Sequence, residues 1–309
     1  MGTMQTHPIF IVVHIRSARY VAICVEYIRF IIADLTRSNV ELRFVERVED
    51  IELRKDSTVF VIGEGFPAFP KRDGRYYIYL NFSLLYNVSS WWTLSWRARR
   101  WIARKRRMFA EKAESFDMIL DFYEPQSALM KEEFKGRGVQ VLPFLTNVLE
   151  VKRDCILPVA EREWDICVVS TLTPRRRKLY TKLENLGYKL SPLKTAELVS
   201  VMSRCKLTLN VHMQRCSTLE APRIVHALNA GSCLVTERCY GLEDIIPDRC
   251  YHAADYGGLI RVIRRLLENH EEITRTARLG YEYMRGEYEE KCRASWKRIV
   301  DSIPGLALE

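Results

Sequence analysis

In the first half of the chain, short runs of β-branched and aromatic residues alternate with longer amphipathic stretches. The runs IFIVVHI, VELRFVE, TVFVIGE, YYIYLNF, FDMILDFY and VQVLPF each have the length and composition of a buried strand. Strands joined through helices pair in parallel, and a parallel sheet needs cover on both faces. Between Phe144 and Trp164 the periodicity lapses into LTNVLEVKRDCILPVAERE, and a second series then begins with WDICVVST, YKLSPL, KLTLNVHM, GSCLVTE and CYHAADY. Three helical stretches, 257–269, 271–286 and 287–302, close the chain with Arg and Glu on their outer faces. The pattern predicts two doubly wound, Rossmann-like α/β domains, residues 1–150 and 151–309, facing a cleft. Ligands of such sheets bind beyond the carboxyl ends of the strands, so the loops after the strands are where chemistry is expected.

Composition narrows the picture. A chain of 309 residues exceeds what one core usually organises, in keeping with two domains. The formal charge of +9 points to anionic partners, among which sugar nucleotides, nucleic acid and acidic membrane surfaces all qualify. The nine cysteines are scattered and form no C-x-x-C pair, which predicts reduced, buried thiols and no zinc site. The opening MGTMQTHPIFIVVHIRSARY has neither the basic start nor the cleavage site of a secretory signal, and no apolar span is long enough to cross a membrane, so a cytoplasmic chain is expected. The loop after the first strand run contains no G-x-G-x-x-G, and G-x-x-x-x-G-K-[ST] occurs nowhere. Both absences argue against a dinucleotide-dependent oxidoreductase and a P-loop NTPase.

Residues 173–177 read Thr-Pro-Arg-Arg-Arg at the start of an expected helix. Free backbone N–H groups, the macrodipole and guanidinium forks at Arg175 and Arg176 would together hold a diphosphate; the alternative is a solvated basic first turn. Further on, KLTLNVHMQRCSTLEAPRIVHALNAGSCLVTE gives a strand ending at Asn210 to Met213, a polar loop, a helix over 219–229, Gly231 at its end, and another strand.

These segments resemble the second domain of group-1-like glycosyltransferases of the GT-B fold, particularly the spore-maturation-type branch. The resemblance spans residues 164–302 and is carried by Asn210, His212, Arg223, Ala227, Ala230, Gly231, Leu234, Val235, Thr236 and Glu237, together with STLTPRRR. It implies a nucleotide-sugar donor held by Thr171, Arg175, Arg176, His212, Glu220, Arg223 and His226, with no bound metal and no other cofactor, because arginines and a helix start stabilise the departing diphosphate. His226 stands where family members place a glutamate that holds the donor ribose, so the usual bidentate acceptor is missing. Glu220 has the alternative role of an N-terminal acid on the macrodipole, Arg223 that of a solvated salt-bridging cation, and His212 that of a satisfied core histidine.

In the first domain, an inverting transfer needs a base for the acceptor hydroxyl. His14, Glu64 and Glu124 each follow a strand run, and His14 holds the family-like position; each also has a plain structural reading as a loop anchor or turn residue. The segment SSWWTLSWRARRWIARKRRMFAEKAESF sets tryptophans among arginines. It reads as a helix packed on its own sheet with a solvated basic face, as a patch for anionic lipid, or as a phosphate-tracking nucleic-acid surface. The function expected is metal-independent transfer of a sugar from a nucleotide-sugar donor to an acceptor hydroxyl on a glycan or lipid-linked glycan, by a cytoplasmic enzyme with peripheral membrane contact through residues 91–109. The alternatives are a glycosyltransferase acting on modified DNA bases and a non-catalytic sugar-nucleotide or glycan-binding protein.

Overall fold

The computed structural model describes residues 7–47, 53–63, 66, 74–82, 85, 96–149, 157–193, 197–213 and 221–306. Among these, one compact unit holds residues 7–85, 99–146 and 291–306, and a second holds 96–98 and 147–290.

In the first unit all six apolar runs are strands: β1 (Ile9–His14), β2 (Val40–Val45), β3 (Thr58–Ile62), β4 (Tyr76–Asn81), β5 (Met118–Asp121) and β6 (Gln140–Pro143). They pair in parallel in the order β2-β1-β3-β4-β5-β6. The order reverses between β1 and β3, the switch point at which open α/β sheets leave a crevice. Every residue of β1 and β3 is buried, as a strand covered on both faces requires. Helix α1 (Ile15–Thr36) follows β1 directly, and Val21, Cys24, Val25, Ile28, Ile31 and Ile32 recur every three or four positions and are buried. Helices α2 (Trp96–Ala113) and α3 (Glu124–Glu133) complete the cover.

The division differs from the expected 151–309 at the end of the chain, where residues from Lys291 onward belong to the first unit. Trp296 supplies the reason. Fully buried, it stands 6.2 Å from Phe60 and 5.8 Å from Phe144 between ring centroids, and its indole N–H donates to the Leu145 carbonyl at 2.8 Å. Burying so large a ring outweighs chain order in deciding which core receives the last helix, α10 (Glu287–Asp301).

The second unit has β7 (Trp164–Cys167), β8 (Cys205–Asn210), β9 (Cys233–Glu237) and β10 (Tyr251–Ala254), parallel and in the order β10-β9-β8-β7. YKLSPL is not a strand: only Leu190 bridges Ile166. The Ser191 hydroxyl accepts from the Val168 N–H in place of a backbone carbonyl, and Pro192 has no N–H to continue a ladder. The helices are α4 (Pro174–Asn185), α5 (Leu198–Ser203), α6 (Ala221–Asn229), α7 (Leu242–Ile245), α8 (Leu259–Leu267) and α9 (His270–Arg285). Gly280 of α9 lies against α6, where a Cβ would stand 2.7 Å from Leu228 Cδ2, so its lack of a side chain sets how closely the two helices approach. The seven described cysteines are buried free thiols; Cys155 and Cys216 lie outside the described residues. Among the described residues no helix is long and apolar enough to cross a membrane.

Buried Arg162 ties the base of this unit together. Its guanidinium donates to the carbonyls of Leu157 at 3.0 Å, Cys205 at 2.9 Å and Gly231 at 3.0 Å, joining the segment before β7, the start of β8 and the turn before β9. Replacing it removes the guanidinium donors from three carbonyls, of which that of Cys205 keeps only the Ser232 hydroxyl at 3.4 Å as a side-chain donor, so Arg162→Met is expected to lower stability by about 3 kcal/mol. Urea denaturation checks this; a midpoint equal to that of the wild type would show that the carbonyls find other partners.

Candidate functional site

Polar residues collect at the carboxyl ends of β7, β8 and β9. Thr173 caps α4 through its hydroxyl, which accepts from the Arg176 N–H at 3.3 Å, and Pro174 occupies the first helical position. Arg175 then points across the sheet edge. It makes a bidentate pair with Glu237 at the end of β9, with Nη1 2.7 Å from Oε2 and Nη2 closing on Oε1, and Nη1 also donates to the His212 carbonyl at 3.1 Å. The Tyr256 ring lies beneath the guanidinium at 4.0 Å, and its hydroxyl donates to the Arg175 carbonyl at 2.8 Å.

Glu237 also accepts from the His212 N–H at 3.2 Å, so a single carboxylate fastens the start of α4 to the end of β8. The His212 ring is buried. Nε2 lies 3.2 Å from the Arg238 carbonyl and is therefore the protonated nitrogen, which leaves Nδ1 as an acceptor with no partner among the described residues. Beside it runs a second chain of contacts: Arg223 of α6 donates to Asn210 Oδ1 at 2.9 Å, Asn210 Nδ2 to Thr236 Oγ1 at 3.0 Å, and Thr236 Oγ1 to the Glu237 carbonyl at 2.9 Å. An open depression of 370 Å³ borders the cluster, lined by Arg238, Cys239, Tyr240, Leu242, Glu243, Tyr251 and Ala253.

The structure thus gathers Arg175, His212 and Arg223 at the strand ends, with Thr171 exposed in the loop before α4. Arg176 departs from the diphosphate role expected of it. It is 1% exposed, and its guanidinium is spent on the carbonyls of Val211, through Nε at 2.8 Å and through Nη2, and of Thr171, through Nη1 at 3.0 Å. Neither reading of the arginine run describes the whole first turn, for Arg175 is ion-paired, Arg176 is buried and only Arg177 is exposed. Strand ends at β8 supply carbonyls that a buried guanidinium can satisfy, and position along the helix cannot reveal that. Glu220 lies outside the described residues. His226 is buried on α6, where desolvation and the nearby Arg223 charge push its pKa down to about 4. Asn210, Glu237 and Tyr256 received no role from the sequence. The available signal was polar termination of apolar runs, Asn after KLTL and Glu after CLVT.

In the first unit, His14 ends β1 beside the switch point. Gly63, which follows β3 with φ of 134°, is so close that a Cβ there would lie 2.6 Å from His14 Cβ; any larger residue would displace the imidazole. The ring packs edge-on against Phe66 at 5.0 Å. Glu124 is exposed in the first turn of α3, after β5. The ends of β1 and β5 are three strand spacings apart, about 14 Å at the usual interval, so His14 and Glu124 do not form one acid–base pair. Glu64 lies outside the described residues. The buried acid of this edge is one the sequence did not single out, Asp121, which accepts from Asn81 Nδ2 at 2.5 Å, Gln126 Nε2 at 2.7 Å and the Tyr123 N–H at 2.8 Å. Burial pushes its pKa up to about 7 against the pull of these donors.

The depressed pKa of His226 has a consequence for stability. Between pH 6.5 and pH 4 the unfolded chain takes up a proton at this position while the folded chain does not, so stability present above pH 6.5 is lost as pH falls. The full effect is about 3 kcal/mol. His226→Gln is expected to flatten this part of the stability profile in urea denaturation across the window, and an unchanged slope would assign acid sensitivity to other groups.

Residues 155–298 match the family described as Glycosyl transferase-like. No curated protein sequence matches the chain. Among solved structures, a sucrose-phosphate synthase from Thermosynechococcus elongatus is similar over 95% of this chain and 98% of its own, at 11% identity and a TM-score of 0.55. HepE from Anabaena, in complex with UDP and glucose, is similar over 96% of this chain and all of its own, at 10% identity and a TM-score of 0.59. The pneumococcal O-GlcNAc transferase GtfA, in complex with UDP and GlcNAc, is similar over 81% of this chain and 57% of its own, at 11% identity and a TM-score of 0.53. The two parallel α/β sheets thus share the GT-B fold of these structures, and the segment that contains the strand-end cluster matches a glycosyl transferase-like family.

Proposed function

We propose that the protein transfers a sugar from a nucleotide-sugar donor to an acceptor hydroxyl on a glycan or lipid-linked glycan, without a metal ion. The observation that carries this reading is the convergence of Arg175, Arg223 and the buried His212 Nδ1, unpartnered among the described residues, at the carboxyl ends of β8 and β9, inside the segment that matches the family. The UDP complexes of HepE and GtfA support a nucleotide donor by similarity of fold. In the reaction, the acceptor oxygen attacks the anomeric carbon as the bond to the diphosphate breaks. Negative charge grows on the leaving phosphate, and fixed guanidinium groups stabilise that charge more than they stabilise the bound donor. Arg175 exchanges Glu237 for the diphosphate, and Arg223 adds a second cation. His212 Nδ1 accepts from a donor hydroxyl. His14 serves as the acceptor-side base, and His14→Ala lowers kcat by roughly a hundredfold or more.

Two measurements test this reading. Nucleoside diphosphates screened by thermal shift are expected to raise the midpoint of the wild type, because a ligand of the folded state stabilises it. Arg223→Gln is expected to weaken that binding about tenfold or more, the loss typical of a charge-assisted hydrogen bond. Arg175→Ala has the same effect on affinity and in addition destabilises the fold, since Glu237 is left buried without its ion-pair partner. If no nucleoside diphosphate or nucleotide sugar shifts the midpoint, the donor site is wrong. Transfer activity is expected to survive exhaustive EDTA treatment, and a strict requirement for added Mg²⁺ or Mn²⁺ would overturn metal independence alone.

A further inference from the structure

Helix α2 carries eight basic residues and one acid, Glu111, in the sequence WRARRWIARKRRMFAEKA. Among its described side chains only one stripe is buried: Ile102, Phe109 and Ala113, spaced seven and four apart, with Phe109 and Ala113 in the core of the first unit beside Phe116 and Phe134. That contact fixes the rotation of the helix and turns Trp101, Arg104 and Met108, spaced three and four apart, toward solvent together. Trp101 is 45% exposed and Met108 51% exposed, and Lys105 lies over the Trp101 ring at 4.2 Å. Arg100 and Arg107 flank this face and are exposed with Arg104. Arg106 is on another side, paired with Glu133 at 2.8 Å, so its charge is already answered. Arg104 and Arg107 have no carboxylate partner among the described residues.

We infer that this face of α2 seats the protein on an anionic membrane surface. Two of the three readings open at the level of sequence are weakened by the geometry. A merely solvated face has no reason to hold an indole and a thioether in water on one side of the helix, two turns apart within a basic stripe, whereas at a headgroup layer those groups enter the acyl boundary while guanidiniums reach lipid phosphates on either side. A nucleic-acid surface of the stacking kind needs a groove that tracks the backbone, and a single helix offers a convex ridge. The charge also complements the negative potential of an anionic leaflet, which acts within a Debye length of the surface. The inference stands on α2 alone and does not rest on the glycosyl-transfer reading.

Flotation of the full chain with vesicles of phosphatidylcholine alone, or of phosphatidylcholine with phosphatidylglycerol, tests it. The wild type is expected to float only with the anionic vesicles, and less as salt is raised. Arg104→Glu with Arg107→Glu is expected to lower the bound fraction about tenfold or more, since two attractive charges become repulsive. Trp101→Ser with Met108→Ser lowers it as well, a loss that a purely electrostatic contact does not show. These four side chains lie outside the core, and an unchanged thermal midpoint confirms that each variant is folded. Arg223→Gln, altered only at the strand-end cluster, floats like the wild type, so failure of this inference and failure of the donor site are told apart. The inference is overturned if the wild type ignores anionic vesicles, floats equally with neutral ones, or binds single-stranded or duplex DNA at low salt while ignoring the vesicles. It is also overturned if either double variant floats undiminished.

Discussion

The pairing of Arg175 with Glu237 is the contact on which the architecture of the second unit's strand ends depends. Through two guanidinium nitrogens and one carboxylate it connects the first turn of α4, the loop after β8 and the end of β9. A largely buried ion pair of this kind contributes little net stability, because desolvation offsets attraction. What it supplies is position: remove either partner and the other is left as a shielded charge without compensation. Arg176, one residue along, does the complementary work by donating to the Val211 carbonyl, which would otherwise be a buried acceptor with no side-chain donor, and to the Thr171 carbonyl in the loop before α4.

This arrangement explains why the cluster is cationic without being an exposed basic patch. Arg175 is held, not waving in solvent, so its guanidinium is preorganised for a planar anion and loses little freedom in meeting one. Glu237 is then both a support and a competitor. In the proposed reaction, a diphosphate that displaces it from Arg175 leaves the carboxylate with the His212 N–H as its remaining donor. Arg223 donates to a neutral partner, the Asn210 amide oxygen.

The same economy governs the first unit. Gly63 and His14 meet at the reversal in strand order, where the absence of a Cβ makes room for an imidazole at the mouth of the crevice. Asp121, close to the other end of the sheet, is by contrast saturated by three donors that join β4, β5 and α3. A buried carboxyl held by three donors and with a raised pKa locks this part of the sheet in place, and that is the role its contacts describe.

Strand runs were legible along the chain because burial on both faces of a parallel sheet forces near-continuous apolar segments, and ten of the eleven runs became strands. The family resemblance was legible for a related reason: Asn210, Arg223, Gly231 and Glu237 sit at fixed offsets from strand and helix ends, and offsets survive in one dimension. YKLSPL misled because its apolar residues pack on the core while the backbone bridges the sheet at Leu190 alone, with Ser191 and Pro192 ending the ladder. Which arginine of three would be buried, which would pair and which would face water depended on carbonyls and a carboxylate thirty-five to sixty-two residues away. Likewise the allegiance of Trp296 to Phe60 and Phe144, and the rotation that exposes Trp101 and Met108 on α2, were settled by packing against distant residues. Local sequence fixes the period and the ends of an element, since those follow from backbone geometry and neighbouring side chains. The partner of a charged or aromatic group is chosen among residues far along the chain, and only the folded structure brings them within reach.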